Sequence, residues 1–170
     1  MRSTEQDISA APRFSVPAVR EIAARGRIEE WVQTYLTTKP WANHGLLRGL
    51  YKRELLFWWG PLKIELSRLR RYCGPEKDMT FREARKVWEA RVGRIAASLT
   101  EPLAVPPLLV SPPEGTRPPW RELQLDVYDG AHRLEAFRRA GYDAAWCLAA
   151  LGSEEDRATF AEEHGATVSR

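Results

Sequence analysis

Between Leu123 and Leu151 the hydrophobic period of the chain changes twice, with a glycine at the first change, and this narrows the local fold more than any other feature. Leu123, Leu125 and Val127 alternate with Gln124, Asp126 and Tyr128, the pattern of a strand with one apolar face. Asp129-Gly130 supplies a tight turn. Ala131, Leu134 and Phe137 then recur at three-residue spacing, Arg138 and Arg139 suit the negative end of a helix dipole, and Gly141 is a natural C-cap. The spacing predicts a helix from about Ala131 to Ala140 and a returning strand from Ala144 to Leu151.

A helix that opens directly after such a turn presents unpaired backbone N–H groups and the positive end of its dipole, which together favour an anion. Gly130 and Ala131 bring the backbone close, while His132 and Arg133 fall in the first turn. Two cationic groups there oppose the dipole unless an anion sits between them. His132 offers a hydrogen-bond donor and Arg133 a planar fork that matches phosphate oxygens. Asp129 through Arg133 therefore form the candidate phosphate site. For Asp129 two readings stand side by side: it caps the helix, or it holds a magnesium ion that phosphates bring with them.

The rest of the chain reads as further helices and strands. Residues 1–17, with Pro12 and Pro17, read as a poorly ordered tail. Apolar positions from Val19 to Tyr35 follow helical spacing with a break at Gly26, and Trp41 to Trp59 predicts another helix ended by Gly60-Pro61. Leu62 to Leu66 alternates as a strand, and Cys73-Gly74-Pro75 is a turn. Thr80 and Glu83 have the spacing of a capping box for a helix running to Leu99. Leu108 to Val110 is a short strand, residues 112–119 a proline-rich connection, and Glu154 to Glu163 a last surface helix, after which His164 near the terminus has no role. Alternating strands and helices place the chain in the α/β (α+β) class.

Charge and cysteine content bound the function classes. The net charge is only +3, yet the 13 Lys and Arg against 6 Asp and Glu between Arg48 and Arg94 leave +7 there and −4 elsewhere. Such a stretch attracts phosphate-bearing ligands, or is simply a solvated helical face. Cys73 and Cys147 belong to no metal-spaced or redox-spaced pair. No apolar run has the length of a signal peptide or a membrane span, so a cytoplasmic protein with no membrane partner is expected.

A strand running into Asp129-Gly130-Ala131-His132-Arg133, then Leu134-Glu135-Ala136 and a glycine-terminated helix, resembles the ParB/sulfiredoxin-like superfamily. The resemblance covers about Leu62 to Leu151 and implies a small mixed sheet with flanking helices that binds nucleotide phosphates. It divides the chain into a tail (1–17), an N-terminal helical extension (18–60), a nucleotide-binding domain (61–152) and a C-terminal surface helix and tail (153–170). The reactive cysteine of sulfiredoxins is replaced by Ala131, and only 19 residues follow Leu151, where ParB proteins carry a DNA-binding domain. In layout the chain is most similar to the stand-alone free-serine kinases, whose loop after the first strand carries a catalytic glutamate. Glu76 occupies that loop.

The expected function is thus a kinase that uses ATP or another nucleotide, ADP and CTP included, with magnesium, to phosphorylate the hydroxyl of an amino acid or small metabolite. Glu76 and Asp129 are its candidate catalytic residues, and His44 and Trp41 its candidate substrate contacts. For Glu76 the alternative is a surface ion pair, and for His44 a purely structural role. A non-catalytic, nucleotide-gated or nucleic-acid-binding module is the alternative for the whole chain.

Overall fold

The computed structural model describes residues 13–52 and 56–165. The first twelve residues of the expected tail, residues 53–55 of the expected Trp41–Trp59 helix, and residues 166–170 lie outside them. The chain forms a mixed α/β fold. Helices α1 (Val16–Ala24), α2 (Ile28–Thr37) and α3 (His44–Lys52) come first, followed by strands β1 (Phe57–Glu65), β2 (Leu69–Arg71), β3 (Cys73–Gly74) and β4 (Phe81–Arg82). Helix α4 (Arg85–Ser98), strands β5 (Leu108–Ser111) and β6 (Leu125–Asp129), helix α5 (Ala131–Arg139), strand β7 (Ala144–Leu151) and helix α6 (Glu154–Gly165) complete it.

Five strands make one mixed sheet in the order β1-β7-β5-β6-β2. Strand β7 is antiparallel to β1 and parallel to β5, β5 is antiparallel to β6, and β6 is parallel to β2. The two-residue side-chain period of a strand sorts the core into two layers. Leu108, Val110, Cys147, Ala149 and Leu151 face Leu134 and Phe137 of α5 and Phe160 of α6. Leu109, Leu148 and Ala150, one residue out of phase, pack against Val19, Trp31, Val32, Tyr35 and Leu36 of the N-terminal helices. Helices therefore cover both faces, which is why β7 reads as a nearly unbroken apolar run. A smaller cluster of Trp88, Val92 and Ala136 joins α4 to α5. Among the described residues no helix is long and apolar enough to cross a membrane.

Five local expectations need correction. Residues 13–17 are not tail: Ser15 caps α1 through a hydrogen bond from the Ala18 N–H, Pro17 lies in its first turn, and the Phe14 ring packs on Trp31 and Tyr35. The expected Trp41–Trp59 helix is only His44–Lys52 among the described residues, because Phe57, Trp58 and Trp59 pair with Leu151, Ala150 and Ala149 as strand. Sheet pairing here overrides the helical spacing of an almost wholly apolar run. Gly60, expected to end that helix, instead lies inside β1 at φ +132°, where a Cβ would stand 2.8 Å from the Cys147 carbonyl oxygen. The Thr80–Glu83 capping box does not form. The N–H groups of Phe81 and Glu83 bond to the carbonyls of Tyr72 and Gly74, so this backbone belongs to the β3–β4 ribbon and α4 starts only at Arg85. His164, left without a role near the chain end, is buried, its ring stacked on Phe160 with Nδ1 on the Phe160 carbonyl and Nε2 facing Arg68. Burial holds its pKa below the ordinary value.

Candidate functional site

Strand β6 ends at Asp129, and the chain turns into α5 through Gly130 at φ +103°. A Cβ at this position would lie 2.4 Å from Leu108 Cδ2, so both the left-handed backbone and the close approach require glycine. Gly130 is itself the N-cap residue, and no side chain caps α5. Asp129 is therefore not the cap. The first helical bond of α5 runs from the Leu134 N–H to the Gly130 carbonyl at 2.8 Å, which leaves the N–H groups of Ala131, His132 and Arg133 ahead of the helical ladder.

On one side of this turn a buried network holds the motif. Asp129 Oδ2 accepts from the Tyr35 hydroxyl at 2.6 Å and from Arg133 Nη2 at 2.9 Å, while Oδ1 accepts from Asn43 Nδ2 at 3.0 Å. Arg133 also donates to the Pro106 carbonyl at 2.7 Å and to the Tyr35 hydroxyl, and its guanidinium carbon lies 5.2 Å from the centre of the Trp41 ring. With only 3% of the residue exposed, Arg133 directs these bonds inward rather than offering a free fork to a ligand. Burial, reinforced by Asp129, pushes the Tyr35 phenol far above its ordinary range, so it stays protonated and keeps donating.

The same geometry tests Asp129 as a magnesium ligand. Both of its oxygens already accept from protein donors, and Arg133 balances its charge. That donor set does not fit a resident metal ion. Among the described residues no group of three or more His, Cys, Asp and Glu could hold a metal.

On the other side, His132 Nε2 lies 2.6 Å from Glu83 Oε2, and its ring packs on Trp88 at 4.6 Å between centroids. The guanidinium of Arg71 lies 4.7 Å from the centre of the Trp88 ring. Glu83 Oε1 reaches Arg91 Nη1 at 3.1 Å, so a carboxylate links the motif to α4. His132 is thus oriented by Glu83 rather than left as an unengaged donor.

An open cavity of about 710 Å³ lies over the turn. The α2–α3 loop, with Pro40, Trp41 and Asn43, forms one wall; Arg91 and Arg94 of α4 form another; Gly130 and His132 lie between them. Three residues apart, the two arginines share a helix face, and Arg94 has no ion pair among the described residues. Sequence reasoning missed Tyr35, Asn43, Glu83, Arg91 and Arg94. The only signal for the arginines was the +7 charge of the Arg48–Arg94 stretch. Of the two expected substrate contacts, Trp41 lines the cavity, whereas His44, exposed at the start of α3, does not, and its neighbour Asn43 does.

Glu76 is not brought to this cavity. It lines a second one of about 430 Å³ with Lys77, Arg82, Glu83 and Arg85. Its carboxylate takes two hydrogen bonds from Arg71, at 2.7 and 3.1 Å, and this pairing holds its pKa below the ordinary carboxylate value. Cys73 nearby is half-buried, and burial, with Glu83 adjacent, pushes its thiol pKa up, away from thiolate reactivity.

No protein-family model matches the chain, and no curated protein matches it. Among solved structures it is similar to the C-terminally truncated chromosome-partitioning protein ParB from Caulobacter crescentus complexed with CTP-gamma-S, with 20% sequence identity and a TM-score of 0.40. The match covers 66% of this chain and 54% of that chain, so the region spans about half the length of the structure it matches.

Proposed function

We propose that this protein binds a nucleotide by its phosphates in the cavity over the start of α5. The observation that carries this reading is the convergence of an uncapped helix N-terminus, reached through a glycine at φ +103°, with Arg91 and with Arg94, which has no ion pair among the described residues, on one 710 Å³ space. Free N–H groups and the helix dipole favour the anion, and the arginines neutralise it. The volume lies within the range of small-molecule sites. Magnesium, where required, would arrive on the phosphates rather than on Asp129.

Phosphoryl transfer to a small hydroxyl acceptor is the catalytic extension of this reading, and it needs a group to orient or deprotonate the acceptor. Glu76 is the resemblance's candidate, but a carboxylate held on Arg71 and kept below its ordinary pKa is a weak base, and it lines the other cavity. That observation favours a second reading, a module that binds the nucleotide without transferring phosphate.

Calorimetric titration of ATP, ADP and CTP, with magnesium, into the wild-type protein and into Arg94→Ala tests the binding. The expected result is saturable binding of at least one nucleotide, weakened about tenfold in the variant, the scale of one charge-assisted contact. No binding by the wild type, or equal affinity in the folded variant, would overturn it. Transfer of labelled γ-phosphate to a panel of hydroxyl compounds by wild type and Glu76→Gln separates the two uses. Transfer lost with Glu76 supports the kinase; binding without transfer supports the module.

A further inference from the structure

The cavity has walls of different chemistry. Helix α4 reaches the motif through Glu83 and His132 and contributes the cations Arg91 and Arg94. The α2–α3 loop reaches it through Asp129 and Arg133 and contributes Pro40, Trp41 and Ala42. One wall suits an anion and the other suits a flat apolar group, with the first turn of α5 between them.

Among the described residues, Trp41 is the only aromatic ring of that second wall besides Tyr35, whose phenol is buried in the Asp129 network. It is half-buried, so part of its indole stays open to the cavity. Its position is fixed from behind: Tyr35 stacks on it at 6.4 Å and 29°, and Tyr35 in turn stacks on Trp31 at 4.9 Å and 10°. The buried Arg133 guanidinium packs against its ring. Asn43, two residues on, ties the loop down by donating from Nδ2 to Asp129 while its side-chain Oδ1 accepts from the Leu46 N–H and starts α3. A pre-ordered aromatic surface loses little entropy on binding, and every nucleobase presents a π-face to such a ring.

Resting on the phosphate-site reading above, we propose that Trp41 is the base-stacking residue of the cavity and that the ligand is a nucleoside polyphosphate rather than a bare polyphosphate or a sugar phosphate. The N-terminal helical extension then supplies ligand selectivity, and the Gly130 turn supplies phosphate affinity. Stacking reads the π-face and not the base edge, so selectivity between bases is small and selectivity for the presence of a base is large.

The test compares ATP, CTP, ribose 5-phosphate and inorganic tripolyphosphate on the full chain by calorimetry, in wild type, Trp41→Ala and Trp41→Phe. The wild type should bind ATP and CTP at least tenfold more tightly than tripolyphosphate. Trp41→Ala should weaken both nucleotides about tenfold or more, the scale of ring–base stacking, and change tripolyphosphate affinity less than twofold. Trp41→Phe keeps a ring and should recover most of the loss. Tripolyphosphate bound as tightly as ATP by the wild type would overturn the proposal while leaving the phosphate site intact. Equal weakening of all ligands in Trp41→Ala, or no recovery in Trp41→Phe, would make Trp41 a structural support only. Failure of every probe to bind the wild type would overturn both readings.

Discussion

Asp129 and Glu76 are the two carboxylates to which the sequence assigns chemistry, and each is bonded to an arginine, yet their surroundings differ. Asp129 accepts from three side chains drawn from α2, the following loop and α5, and its partner Arg133 is 3% exposed. Glu76 sits with its side chain 39% exposed in a loop beside a two-residue ribbon, bonded to one arginine five residues away. The difference teaches what burial does to an ion pair. In the first region the charges are out of water and depend on one another, so the network fixes the geometry of the turn. In the second, water shares the work and the pair fixes little.

Breaking the first region should have the largest effect. Asp129→Ala leaves a buried guanidinium, a buried phenol and an amide without their acceptor, at an expected cost of about 3–5 kcal/mol in denaturant unfolding. A loss below about 1 kcal/mol would mean that the network is not what holds the turn.

Tyr35→Phe sharpens the comparison with a smaller change. It removes one hydroxyl that both donates to Asp129 and accepts from Arg133, so about 1.5–3 kcal/mol should be lost. In a double-mutant cycle with Asp129→Ala the two losses should be clearly non-additive, because the residues share one network. Additive losses would separate Tyr35 from it.

Glu76→Gln should do least, within about 1 kcal/mol, since its more exposed pair is screened by solvent. The sign of its pH dependence follows from Arg71, which holds the folded carboxyl below its ordinary value of 4.5. The pair's contribution is present above that value and disappears as pH falls through the lower folded one. Denaturation curves of wild type and Glu76→Gln should therefore converge in acid. Curves that diverge as pH falls would reverse the assignment.

The segment from Leu123 to Leu151 was legible because its information is local: period, turn residues and a C-cap lie within a few positions of what they determine. Helix α5 and strand β7 follow from those cues, as does the glycine between β6 and α5. Phe57 to Trp59 was not legible, because an apolar run satisfies helix and strand spacing equally and only the pairing with β7 decides. Glu83 was misassigned for a related reason. Its spacing from Thr80 fits a cap, whereas its partner is His132, 49 residues later. The brace on the motif was invisible for the same reason at greater range, since Tyr35 and Asn43 meet Asp129 across 94 and 86 residues. Local sequence marks where the phosphate turn is. It does not mark what holds the turn or what walls the cavity above it.

The central claim, that a nucleotide's phosphates sit on the first turn of α5, is tested most directly by following backbone amide resonances of the labelled protein during titration with ATP or CTP and magnesium. The account predicts that the N–H signals of Gly130, Ala131, His132 and Arg133 move most and saturate together, with the Arg94 side chain responding alongside. Saturable shifts centred on Glu76 and the β3–β4 ribbon, with residues 130–133 unmoved, would contradict it.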